Sequence, residues 1–173
     1  MFTDPVKNLK AFDLRENMIV ADLGAGSGFY AIPAARIVTK GKVYAIDIQK
    51  DFLTSIKNKA LESHLGNIEC IWGDVEKIGG TKMKDGIIDA AIVSNVLFQI
   101  EDKSNFIKEA KRILKPNGKL LFIDWSDNGS PMGPSFDKII SKEKAKEIFE
   151  NEGFICVRDI NTGDHHYGII FSK

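Results

Sequence analysis

Glycines 24, 26 and 28 stand directly after the apolar run Ile19-Val20-Ala21-Asp22-Leu23. A glycine has no Cβ, so a loop of this kind turns tightly and brings its backbone into van der Waals contact with a ligand. The stretch that follows, 29–38, reads as a helix, and a helix start adds unpaired N–H groups and a positive dipole end. About 20 residues beyond the loop a second apolar run ends at Asp47, where a carboxylate can accept hydrogen bonds from both hydroxyls of a ribose. A nicotinamide dinucleotide fits this outline too, but its loops favour glycine at the first, third and sixth positions. Counting from Gly24, the sixth position is Phe29, which would crowd the packing of helix on strand.

Positioning these residues requires a parallel sheet with crossover helices. Short β-branched runs at 19–23, 43–46, 68–72, 90–94 and 120–124 alternate with longer stretches of helical period. Phe52, Leu53, Ile56, Ala60, Leu61 and Leu65 share one helical stripe, which predicts a helix over 50–65 with Gly66 as its left-handed cap. Phe106, Ile107, Ala110, Ile113 and Leu114 repeat the pattern before Lys115-Pro116-Asn117-Gly118, where proline stops a helix and Asn-Gly tolerates positive φ. Residues 126–135 have no period and read as a loop at a strand's carboxyl end. A helix over 141–152, capped by Ser141, leads to strands 154–161 and 167–172, joined closely enough for a hairpin. The expected fold class is α/β, a three-layer sandwich around a mostly parallel seven-stranded sheet whose carboxyl-terminal hairpin strand is antiparallel.

The chain has 173 residues, 43% of them hydrophobic, enough for one core and therefore for one domain over 1–173. Lysine plus arginine number 24 and aspartate plus glutamate 24, so no global field draws the chain to nucleic acid. No uncharged apolar run reaches the roughly 18 residues of a membrane helix and no leader pattern opens the sequence, which predicts a soluble, cytoplasmic protein. Cys70 and Cys156 lack metal-ligand spacing and read as core thiols; no metal is expected.

In order along the chain, these segments resemble a class I methyltransferase dependent on S-adenosylmethionine (SAM). The segment 20–28, VADLGAGSG, is similar to that family's first motif. The resemblance implies that Asp22, Gly24, Ala25, Gly26 and Gly28 hold the methionine part of SAM and Asp47 its ribose. Ile48 would lie against the adenine, and Gly73-Asp74-Val75 would meet its edge. Residues 89–99 resemble the fourth motif, near the reacting methyl, which brings Asn95 towards the cofactor, and 114–121 resemble the family's Leu-Lys-Pro-Gly-Gly turn. The branch with the nearest likeness contains small-molecule enzymes, the quinone C-methyltransferases and arsenite methyltransferases. Two departures stand out: about eighteen residues precede the first strand, leaving little to lid an acceptor pocket, and two strand cysteines do not imitate the arsenite enzymes' several pocket cysteines.

A small-molecule acceptor would then meet groups at the sheet's carboxyl edge. Asn95, Gln99, Asp124 and His165 are the candidates for positioning it or taking its proton, each with an ordinary structural explanation beside it. Tyr30 could close over the methionine or simply pack. Trp125, Met132 and Phe136 could wall an apolar pocket, and His64 reads as solvated. A SAM-binding protein without turnover, or a nicotinamide oxidoreductase, are the alternatives, since a fold does not guarantee an activity.

Overall fold

The computed structural model describes residues 3–126 and 133–173. Its elements run α1 (Pro5–Ala11), β1 (Ile19–Leu23), α2 (Ala31–Ile37), β2 (Lys42–Asp47), α3 (Lys50–Glu62), β3 (Ile68–Trp72), β4 (Ile88–Ser94), α4 (Lys103–Ile113), β5 (Leu114–Trp125), α5 (Lys142–Asn151), β6 (Ile155–Ile160) and β7 (His166–Ser172). The seven strands form one sheet in the order β3-β2-β1-β4-β5-β7-β6. β1 to β5 pair in parallel, and β7 lies antiparallel between β5 and β6.

Alternation along the strands sends side chains to two apolar layers. Val20, Val43, Ala45, Ile92 and Ile123 pack with α1, α2 and Ile56 of α3 on one face. Leu23, Ile46, Ala91, Val93 and Phe122 pack with α4 and α5 on the other. A sheet covered on both sides needs near-continuous apolar strands, as the runs in the sequence have.

Three local expectations change. The helix after the glycine loop begins at Ala31, because Phe29 and Tyr30 still belong to the turn. α3 ends at Glu62, and the left-handed residue beyond it is His64 (φ 54°), not Gly66. His64 N–H bonds the Leu61 carbonyl and Leu65 N–H the Ala60 carbonyl, so half-buried Leu65 fixes the cap two residues earlier. Cys70 and Cys156 are half-buried, not core thiols, since both lie on strands near the sheet's margins. The amino-terminal segment contributes α1, whose start is capped by Asp4 accepting from Val6 and Lys7 N–H groups, with Pro5 in the first turn.

The connection from β3 to β4 is fastened to α4 at two points. Glu76 Oε2 accepts N–H groups of Glu101 and Asp102, both at 3.1 Å. Fully buried Glu109 accepts from Gly79 N–H (2.8 Å), from the Thr81 N–H (3.2 Å) and hydroxyl (2.5 Å), and from Arg112.

Candidate functional site

The strand order places β1 beside β4, while their crossovers leave in opposite directions, α2 towards β2 and α4 towards β5. A crevice opens at such a switch point. Here it is a cleft of about 530 Å³, within the usual range for small-molecule sites. Its walls come from the carboxyl ends of β1 to β4: the glycine loop, residues 47–49, 74–76 and 94–100.

The three loop glycines have different reasons to be glycine. A Cβ on Gly24 (φ 75°) would strike Val96 at 2.5 Å, and one on Gly28 (φ 84°) would reach Ile56 at 2.9 Å. Gly26 (φ 50°) has nothing within 4 Å of that position, so its open side belongs to the cleft. Asp47 fixes the loop from across the sheet edge, one carboxylate oxygen accepting Gly26 N–H and the other Gln49 N–H, each at 2.8 Å.

A family model described as a methyltransferase domain matches residues 14–153. A structure of a SAM-dependent methyltransferase from Aquifex aeolicus superposes with a TM-score of 0.91 at 31% identity, covering 99% of this chain and 90% of that one. This chain belongs to the SAM-dependent methyltransferases. Human arsenite methyltransferase is 32% identical over 117 residues, 63% of this chain and 31% of its own length. The ubiquinone/menaquinone biosynthesis C-methyltransferase UbiE of Haemophilus ducreyi is 30% identical over 128 residues, 73% of this chain and 46% of its own. The chain thus spans less than half the length of these curated relatives.

Its residues suit SAM, the cofactor of the family. Asp22 Oδ2 and Asn95 Oδ1 are buried in the cleft wall without a hydrogen-bond partner. Buried acceptors left open are costly, and a ligand ammonium would satisfy both. Burial raises the Asp22 pKa to about 7; the Ala31 N–H opposes the rise and the Asp47 charge adds to it.

Of the cofactor residues expected from the sequence, the cleft gathers Asp22, Gly24, Ala25, Gly26, Asp47, Ile48, Asp74, Val75 and Asn95. Gly28 and Gly73 stand outside its lining. Gly73 is tight for a packing reason, since a Cβ there would meet the Gly80 carbonyl at 2.5 Å. Asn95 takes a left-handed conformation (φ 55°), and Gln99 Nε2 donates back to its carbonyl at 3.3 Å.

Asp124 and His165 do not reach the cleft lining. Asp124 is buried beside the 94–100 segment: Asn95 N–H bonds the Ile123 carbonyl, and the Leu97 N–H favours the charged form of the Asp124 carboxyl. Burial nevertheless raises that carboxyl to about 7. His165 is half-buried, its carbonyl accepting Ser126 N–H. His166, which the expected strand bounds 154–161 and 167–172 leave in the connection between them, is buried as the first residue of β7 and packs on Trp125 with ring centroids 4.3 Å apart. Phe136 is 78% exposed, Met132 lies outside the described residues, and His64 is exposed as expected.

Sequence reasoning missed Gln49, Phe52, Glu76 and Ile100 in the wall. It also missed that Tyr30 both packs and lines the cleft: its hydroxyl accepts from Asn8 Nδ2 at 2.8 Å, tying α1 to the cofactor side. The Asp4-Pro5 start of α1 was the available signal.

Proposed function

We propose that this chain, acting as a single domain, transfers the SAM methyl group to a small-molecule acceptor. The observation that carries the reading is the cleft at the β1/β4 switch point, where Gly26 leaves an open approach beside the Asp47 carboxylate. In this reading Gly24, Ala25 and Gly26 hold the methionine part, Asp22 and Asn95 receive its ammonium, and Asp47 takes the ribose hydroxyls. Ile48, Asp74 and Val75 enclose the adenine; Gly28 and Gly73 act indirectly by shaping the loops.

Bound SAM supplies a methyl activated on a sulfonium. What remains for the chain is to align an acceptor with the sulfur-to-methyl bond and exclude water, worth about 7 to 11 kcal/mol of barrier. Asn95 and Gln99 line the acceptor side. Asp124 works by holding the segment that carries them, and His165 stands outside the cleft lining. The half-buried free thiols are compatible with a reducing, cytoplasmic setting.

Calorimetry is expected to give binding of SAM and no binding of NAD, with Asp47→Ala weakening SAM by about 1.5 to 3 kcal/mol. Labelled SAM should then label one class among quinol, amine, thiol and metalloid acceptors. NAD binding tighter than SAM would overturn the cofactor assignment. SAM binding without transfer to any class would leave a SAM-binding protein without turnover.

Asp22 gives this reading a pH signature. An ammonium donating to that carboxyl favours its charged form, so SAM binding expels a proton. Affinity should rise with pH by up to about tenfold per unit below about pH 7 and level off above. Its raised pKa makes Asp22 a source of apo stability that is full below the unfolded value of 3.8 and lost as pH climbs through about 7. Protection by SAM is therefore expected to grow over that window, and Asp22→Asn to flatten both profiles. A wild-type affinity independent of pH between about 5.5 and 8 contradicts the assignment.

A further inference from the structure

The ionisable acidic and basic side chains lining the cofactor cleft are all carboxyls: Asp22, Asp47, Asp74 and Glu76. No lysine, arginine or histidine stands among the described lining residues, and the sequence of 127–132, DNGSPM, contains none. Backbone donors satisfy oxygens of Asp47, Asp74 and Glu76 without cancelling their charge. Of these four carboxylates, Asp74 alone has an ion-pair partner among the described residues, Lys77 at 2.9 Å, and that lysine side chain is 77% exposed. Water screens such a surface pair. A second observation points the same way: the buried polar atoms left open in this wall, Asp22 Oδ2 and Asn95 Oδ1, are both acceptors.

We infer that the cleft selects positive charge: it holds SAM in preference to its demethylated product S-adenosylhomocysteine, and takes a neutral or cationic acceptor while rejecting carboxylate- and phosphate-bearing ones. The inference rests on the methyl-transfer reading and names the substrate class of that same site. In the transfer, the acceptor's lone pair forms a bond to the methyl carbon. The carbon–sulfur bond breaks with its electron pair staying on sulfur. The positive charge passes to the acceptor, which sheds it to water as a proton where it carries one. Carboxylates around the cleft favour that charge before and after transfer. They lose an attractive partner when only the uncharged thioether remains, and they repel an acceptor that enters as an anion.

The test measures affinities of the intact protein for SAM and S-adenosylhomocysteine at about 20 and about 500 mM salt. SAM should bind at least about tenfold more tightly at low salt, with the gap narrowing severalfold at high salt and in Glu76→Gln, which keeps an oxygen for the two N–H donors. S-adenosylhomocysteine binding as tightly as SAM overturns the charge preference and leaves the methyl-transfer reading standing; binding of neither removes both. The acceptor arm compares hydroquinone with 2,5-dihydroxybenzoate and 2-mercaptoethanol with mercaptoacetate. For the nucleophile that is methylated, kcat/KM of the carboxylate member should be lower by about tenfold or more at low salt. A carboxylate member that matches its neutral counterpart overturns the inference.

Discussion

Glu109→Ala is expected to destabilise the protein by about 3 to 5 kcal/mol, because it breaks a buried ion pair by removing one partner. At roughly 2 to 4 °C per kcal/mol for a chain of this size, the melting temperature should fall by about 6 to 20 °C. Burial alone would raise the Glu109 pKa. The Arg112 guanidinium, the Thr81 hydroxyl and the N–H groups of Gly79 and Thr81 outweigh it and hold the carboxyl at about 2. Alanine would leave those donors facing an apolar gap, with Arg112 retaining, among the described residues, only exposed Asp85 as an ion partner. Glu109→Gln keeps an acceptor oxygen and should lose less. The sign with pH follows from the lowered value: this carboxylate's contribution is present above about 4.5 and lost as pH falls towards about 2. Thermal melts of the three proteins at neutral and acid pH check it. A Glu109→Ala protein within about 1 kcal/mol of the parent contradicts the assignment.

The second large effect is on ligand binding. Gly26→Val should reduce SAM affinity by at least about 100-fold, about 2.7 kcal/mol, by filling the space where the backbone meets the cofactor. With no atom within 4 Å of the new Cβ, the free protein has room for the substitution. What remains is the cost of a left-handed φ, roughly 1 to 2 kcal/mol for an L-residue. Gly26→Asn separates the two contributions, since asparagine tolerates that φ while still intruding on the ligand. Near-parental stability with lost SAM binding is the expected pair of results for asparagine. Gly28→Val makes the contrast, because its Cβ meets Ile56 and the damage should appear in folding. Retained SAM affinity in folded Gly26→Val would mean that the cofactor does not approach this loop.

Sheet and crossovers were legible because local rules and burial agree there. The runs 19–23 and 68–72 became β1 and β3 unchanged, and Ser141 caps α5 through Lys144 N–H as its position predicted. Expectations failed where a tertiary contact overrides the local choice, as Leu65 does in moving the α3 cap from Gly66 to His64. In the site, Asp22, the glycine loop and Asp47 were readable since each stands at or directly after the carboxyl end of an apolar strand. Glu76 and Glu109 were not, because the N–H and hydroxyl donors they collect from across the fold lie 25 or more residues away and carry no spacing signal, and Arg112, three residues from Glu109, reads alone as an ordinary helix-surface pair. Nothing in the adjacent His165-His166 pair says that one ring sits against Trp125 inside the protein.

The placement of β7 governs the order of assembly. β5 and β6 are never hydrogen-bonded to each other; each pairs along β7, the last of the strands to leave the ribosome. Until 166–172 is threaded between them, β5 presents an open, strongly apolar edge, the surface that recruits strands from other chains. A chain whose first five strands pair before β7 arrives is safe only while that edge is shielded. A fragment ending at 160 should accumulate as aggregate, and a peptide of sequence HYGIIFS supplied in trans has the register to rescue it.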